Sequence, residues 1–367
     1  MKRRELLGLG AAALVAPLAG MAACSAEIPD RRRQLLSSWG QGTLLSLYTD
    51  FELAVETLGV RVEELLAAPS PETLEAARSA WWSARAPFKQ AELFAFGPYS
   101  DDPLRLGAKL DFWPVRPDTV HGVLSGTSSL DANQVELLGA SAKGLPVVEL
   151  LLYEPDVELV TEFAEVPRRG QYLQLLVQDL LGNIQALKNA WAPEDANYLR
   201  QFTEAGRGST TFDSLSAALG YVVNQMGFLV ERIRGDKVSR PLGGTELDSA
   251  DPDKVESRYS GRSVQDILDN LSGLERSFFG DAERGELGLE GYLLWRGKDL
   301  GALLHARFDA ARAALLDIPV ALAEAVLTER ASVSAALASL AELQRAFQID
   351  VIQALSLSVS FGGNDGD

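Results

Sequence analysis

Apolar residues return at steps of three and four along most of the chain, the spacing of one face of an α-helix. Leu35 to Leu66 is the first such run, with a weak point at Gly40-Gln41-Gly42. Ser70-Pro71-Glu72 then supplies a capping hydroxyl, a first-turn proline and a first-turn acid, so a second helix is predicted from there to about Phe96. It should be kinked or interrupted near Pro87 and stopped by Gly97-Pro98. The same period returns from Gly170 to Ala205, Phe212 to Ile233, Ser263 to Phe279, Leu289 to Leu316 and Leu327 to Leu357. No convincing alternation of polar and apolar residues intervenes, so few or no strands are expected. The pattern predicts an all-α fold of long antiparallel helices in bundles. A break near Val166-Pro167-Arg168-Arg169-Gly170 divides it into an N-terminal half, 24–166, and a C-terminal half, 167–367.

Two stretches interrupt the helices, Gly97 to Ser129 and Gly235 to Ser263, both rich in glycine, proline and polar residues. Long irregular segments inside a compact body are uncommon and often functional. Between them lies Ala140 to Tyr153, where Gly144 and Pro146 read as a helix start. Glu149 follows among Val147, Val148, Leu150, Leu151 and Leu152. A carboxylate in so apolar a run is costly to bury unless something pairs with it or binds to it. On the second helix, Trp82, Arg85, Lys89 and Glu92 share a flank. Arg85 and Glu92 stand seven residues apart, about 10 Å along the axis, so both could point at one group between them. The plain alternative is a solvated flank with a weak Lys89–Glu92 pair.

Composition narrows the chemistry. The 367 residues carry a formal charge of -17 and a hydrophobic fraction of 47%, values of a globular body with no basic stripe for nucleic acid. Lys2-Arg3-Arg4, an apolar run from Leu6 to Ala23, and then Cys24 predict a signal peptide over 1–23. Met21-Ala22-Ala23-Cys24 resembles a lipoprotein box, and the paired arginines resemble a twin-arginine signal. Lipidation at Cys24 would anchor the chain to a membrane on its extracytoplasmic side; the competing reading is a cleaved secretory peptide with an incidental cysteine. Cys24 is the sole cysteine, so a lipidated chain has no thiol for disulfide, zinc or nucleophilic chemistry. Two histidines, His121 and His305, are too few for a three-histidine metal cage.

The segment Trp82-Ser-Ala-Arg-Ala-Pro-Phe-Lys-Gln-Ala-Glu-Leu-Phe-Ala-Phe-Gly-Pro98 resembles the signature helix of the imelysin family. Phe112-Trp113-Pro114 matches its next loop motif. Glu256-Ser-Arg-Tyr-Ser-Gly-Arg-Ser263, with Asp266 and Asn270 beyond, is similar to its second-half motif, and Asp350 to Asp367 to the tail of imelysin-like lipoproteins. The resemblance implies two helical-bundle halves with a cleft between them, in a bacterial cell-envelope protein often tied to iron acquisition. Some relatives are regarded as metallopeptidases because of a Gly-x-His-x-x-Glu motif. Here the motif reads Gly144-Leu-Pro-Val-Val-Glu149, with Pro146 where the family has histidine. Proline offers no lone pair to a metal, so Glu149 is the one ligand left for a divalent metal or iron.

The resemblance makes Arg85, Glu92, Trp113, Glu149, Glu256 and Ser263 the candidates to line a polar ligand cleft, with Arg85 a natural partner for Glu149 or Glu256. No catalytic residue is assigned. The expected function is a non-catalytic, lipid-anchored binding protein connected with iron or haem uptake. The alternatives are a metallopeptidase of the imelysin type and a lipid-tethered scaffold that docks an envelope or iron-uptake partner.

Overall fold

Ser70 caps its helix as predicted, accepting from the backbone N–H of Thr73, while the Thr73 hydroxyl accepts in return from the N–H of Ser70. The computed structural model describes residues 30–194, 196–244 and 249–356. The signal segment, Cys24 and the residues from 357 onward lie outside the described residues. Helix α1 (Arg31–Ser37) passes through a π-helical turn (Ser38–Leu44) into α2 (Leu45–Ala67), so the weak point at Gly40–Gly42 widens the helix without ending it. A short loop leads to α3 (Pro71–Gln90), which carries Pro87 inside it and tightens to a 3₁₀ turn over Ala91–Phe94.

Further helices follow in order: α4 (Pro117–Ser125), α5 (Leu145–Tyr153), α6 (Pro167–Trp191), α7 (Leu215–Arg232) and α8 (Ser263–Phe279). A two-residue antiparallel ladder pairs Gly280 with Leu287 and Asp281 with Glu286. Then come α9 (Leu289–Trp295), α10 (Gly301–Leu316) and α11 (Arg330–Arg345). The fold is all-α, with shorter helical turns between these elements. Three predicted helices are divided: the run from Gly170 ends at Trp191, the run from Leu289 breaks after Trp295, and the run from Leu327 is broken at Glu329, which ends one helix at Thr328 and precedes the next. The predicted loop from Gly235 begins as helix, because α7 continues into a π-helical turn over Ile233–Ser239.

α2 buries Leu47, Phe51, Val55, Leu58, Val62 and Leu65, a stripe at helical spacing, between α3 and α6. α7, α8, α10 and α11 pack together around Phe278, Phe308 and Phe347. α3 and α8 join the two groups, and Gly273 sets how closely they cross. A Cβ there would lie 2.0 Å from the carbonyl oxygen of Gln90. Gly273→Ala should therefore cost about 1–3 kcal/mol of unfolding free energy, since the obstacle is backbone. Chemical denaturation would measure it, and an unchanged midpoint would contradict so tight a crossing.

Candidate functional site

The α3–α8 crossing encloses charge. Arg85 is 1% exposed, and its guanidinium donates to Asp111 Oδ1 at 2.8 Å, Glu256 Oε1 at 3.0 Å and Asp266 Oδ2 at 2.6 Å. One turn on, buried Lys89 reaches Asp111 Oδ2 at 2.7 Å and Glu92 Oε2 at 3.2 Å, and also donates to Glu256. Lys237, from the π-helical turn, donates to Glu92 Oε2 at 2.9 Å and Asn270 Oδ1 at 2.7 Å. It also stands 3.1 Å from Glu256 Oε2, an ion-pair distance without hydrogen-bond alignment. Asn270 closes the ring, its amide donating to the Lys89 carbonyl at 2.7 Å and to Glu92 Oε2 at 2.8 Å. Arg262 extends the network, donating to Asp266, to Asp269 Oδ2 at 2.7 Å and to the Trp82 carbonyl at 3.0 Å.

The positions follow from local sequence. Asp266 and Asn270 stand four apart on α8 and face α3 together with Asp269. Trp81 and Trp82 cover the guanidinium groups of Arg85 and Arg262, at 5.7 and 5.1 Å from the ring centroids. Gly144, at φ +83°, brings the start of α5 against the chain just before Asp111, since a Cβ would lie 2.5 Å from the Leu110 carbonyl oxygen. Ser257 adopts φ 48° in the turn that carries Glu256, its hydroxyl donating to Asp266.

Such burial is tolerated because the charges cancel. Arg85, Lys89, Lys237 and Arg262, with half-buried Arg232 donating to the Glu92 carbonyl at 3.4 Å, face Glu92, Asp111, Glu256, Asp266 and Asp269. Burial alone would raise the carboxyl of Asp266, but Arg85 and Arg262 hold it well below its ordinary value. Lys237 and Lys89 likewise overcome the burial of Glu92. Asp111 is held down, against burial, by Arg85 and Lys89.

Glu149 stands apart from this ring. It is 2% exposed on α5, and its Oε1 accepts from the Ser260 backbone N–H at 2.8 Å and the Ser260 hydroxyl at 2.7 Å. Burial pushes its carboxyl up to about 7, against the two Ser260 bonds and the field of Arg85. Arg85 is thus a bonding partner of Glu256 and not of Glu149.

Of the six residues expected to line one cleft, Arg85, Glu92 and Glu256 meet in the network, closed from solvent. Glu149 joins the same region through Ser260. Ser263 donates to the backbone carbonyl of Glu256 and so fixes that turn. Trp113 bonds to none of them: its indole N–H is buried and without a partner. Sequence reasoning assigned no part to Lys237, Arg262 or Asp269. Lys237 fell in a stretch read as loop, and Arg262 and Asp269 lack the neighbours that would mark them until the turn after Glu256 is formed.

A groove of about 430 Å³ is lined by Pro117, His121, Leu150, Glu154, Arg258 and Tyr259; Glu149, the residue before Leu150, does not line it. His121 Nε2 lies 2.6 Å from Glu154 Oε1, and Arg169 pairs with the other oxygen of Glu154. Arg258 donates to Asp253 and, at 2.6 Å, to the Tyr259 hydroxyl. A larger groove, about 780 Å³, runs along α2 and α3 with Arg61, Arg276 and Arg284 on its walls. His305 takes no part in either, stacking on Phe279 at 3.8 Å between centroids.

The donor set does not fit a resident metal. Among the described residues no three histidine, aspartate or glutamate side chains gather in metal-binding geometry. The carboxylates of the network face ammonium and guanidinium groups that a cation would have to displace. Glu149 spends one oxygen on Ser260 and has Pro146 at the motif's histidine position.

Two helical groups, α2 with α3 and α6, and α7 with α8, α10 and α11, are joined across buried ion pairs in an all-helical protein; α6 packs with the first group although it follows the break expected at 166. The Imelysin family model matches residues 44–347, and the chain belongs to that family. It is 25% identical over 321 residues to iron-regulated protein A of Synechococcus elongatus, a match covering 86% of this chain and 83% of that relative. Its fold is similar to a crystal structure described as an iron-regulated protein A precursor from Parabacteroides distasonis, with TM-score 0.74 and 20% identity over 90% of this chain and 97% of that one. An imelysin-like protein from Psychrobacter arcticus shares the fold at TM-score 0.66 and 19% identity, with the same coverage.

Proposed function

We propose that this imelysin-family chain is a non-catalytic binding protein of the bacterial cell envelope, connected with iron or haem uptake and anchored by lipid at Cys24. Its ligand occupies the groove between Glu154 and Arg258. One observation carries the reading: Pro146 removes the motif's histidine, and the charges behind Glu149 already satisfy one another. That leaves no activated nucleophile or metal-bound water for peptide cleavage, whereas the nearby groove offers the exposed imidazole of His121 with the half-buried carboxylate of Glu154, guanidinium of Arg258 and phenol of Tyr259. The iron connection rests on the relatives, two of which are described as iron-regulated.

Calorimetric titration with a ferric chelate and with haemin tests this reading. One of the two should saturate a single site, and His121→Ala and Arg258→Ala should each weaken it by about tenfold, the scale of one charged hydrogen bond lost. No binding of either at micromolar concentrations would remove the iron and haem versions. Chelator-sensitive cleavage of an unfolded substrate would favour the peptidase instead.

A further inference from the structure

We infer that the start of α1 and the end of α9 form a basic, aromatic surface that lays the body on an anionic phospholipid bilayer. The inference rests on the proposed lipid at Cys24. Five residues separate Cys24 from Asp30, so the start of α1 can lie no further than about 20 Å from an acylated cysteine. The surface near any such anchor is therefore fixed by the fold.

That surface differs from the rest of the chain. Trp295 is 57% exposed and Leu294 50%, at the last two positions of α9, where a soluble body has no packing use for them. The guanidinium of Arg31 sits 5.2 Å from the Trp295 ring. Arg296 and Lys298 follow in the same exposed turn. Asp299 closes the turn, its Oδ1 accepting from the Gly301 N–H at 3.2 Å, and the carboxylate of Glu290, from the first turn of α9, lies against Gly301 on the same side. Asp30 is neutralised by Arg32 at 2.6 Å. On the other side of α1, Arg33 lines a groove with exposed Leu287, with Arg284, which pairs with Asp281 at 3.4 Å, and with Glu286, which pairs with Arg276. In a chain of formal charge -17, this cationic cluster lies beside the anchor point.

An indole flanked by guanidinium and ammonium groups suits the headgroup layer, where tryptophan is enriched and each basic residue gains from anionic lipid. A tether alone would leave an acidic body free to rotate and repelled by such a surface. Trp295 with Arg31, Arg296 and Lys298 selects one orientation, with the start of α1 toward the lipid.

The full chain, purified from membranes, can be placed on vesicles of phosphatidylethanolamine and phosphatidylglycerol carrying brominated acyl chains. Tryptophan fluorescence should be quenched, and Trp295→Phe should abolish most of the quenching: Trp39, Trp81 and Trp191 are fully buried, Trp113 is half-buried, and Trp82, 36% exposed, is replaced by Phe in both proteins compared. Arg31→Glu with Lys298→Glu should reduce it, as should high salt or neutral phosphatidylcholine. Quenching that persists in Trp295→Phe, or is equal on neutral vesicles, would overturn the proposal, as would none on anionic vesicles. Mass spectrometry of the same sample decides the acylation of Cys24 separately. If no acyl group is found, the anchor reading fails, and quenching dependent on both Trp295 and anionic lipid still decides the surface.

Discussion

Arg85→Ala is expected to cost about 3–5 kcal/mol of unfolding free energy at neutral pH, the scale of breaking a buried pair from one side. The cause is the stranding of partners. Arg85 donates to Asp111, Glu256 and Asp266, and Lys89 and Arg262 cannot replace bonds directed from a rigid guanidinium. Arg85→Met separates charge from packing, since it refills most of the volume and leaves the carboxylates unpaired. It should therefore be nearly as damaging as alanine, and recovery of most of the stability would show that packing carried the effect. The pH dependence gives a second check. Asp266, Asp111 and Glu92 have lowered carboxyl values when folded, so the stability they contribute is present above the ordinary carboxylate range and lost as pH falls through the folded values. Removing Arg85 raises the folded values of its partners. The cost should be full at neutral pH and shrink in acid, as urea denaturation over a pH series would show.

How far the sequence reveals this molecule depends on the range of the interactions. The helices are legible because their period, the cap at Ser70 and the proline at position 146 act within a few residues. The π-helical turns are less so: Gly40 and Gly42 mark a weak point that only widens the helix, while Gly235 within Ile233–Ser239 reads as the start of a loop and hides Lys237. Arg85, Glu92 and Glu256 could be named as polar residues of a shared region. Their pairing could not, because Arg85 meets Glu256 across 171 positions and Asp266 across 181. Spacing on α3 left open a solvated flank with a weak Lys89–Glu92 pair. α8 encloses that pair, and the close approach that allows it is set by Gly273, whose role shows only when Gln90 is beside it. Glu149 was conspicuous as a carboxylate among leucines and valines. Its partner is less so, since a serine in a Ser-Gly turn gives no sign of facing a buried acid.

Glu149→Gln should change the pH dependence of stability more than its level. The folded carboxyl lies at about 7 against an ordinary 4.5, so the folded state holds the proton more tightly than the unfolded chain. The sign is then opposite to that of Asp266: stability is fully present below the unfolded value and is lost as pH rises toward 7. That difference amounts to roughly 3 kcal/mol across the interval. The neutral amide keeps an oxygen for the Ser260 N–H and hydroxyl and carries no charge to desolvate. Relative to the parent, the Gln variant should therefore gain stability progressively between about pH 4.5 and pH 7 and keep that gain at pH 8. The charges facing the group are Arg85 on α3 and Asp266 on α8, both shifted away from that interval, and the slope contributed by any other group is common to the two proteins and cancels in their difference. Denaturation of both proteins over the pH series measures the difference, and infrared spectra of the carboxyl band would assign it to one group. A pH-independent difference would mean that Glu149 is ionised throughout and that its two bonds from Ser260 outweigh its burial.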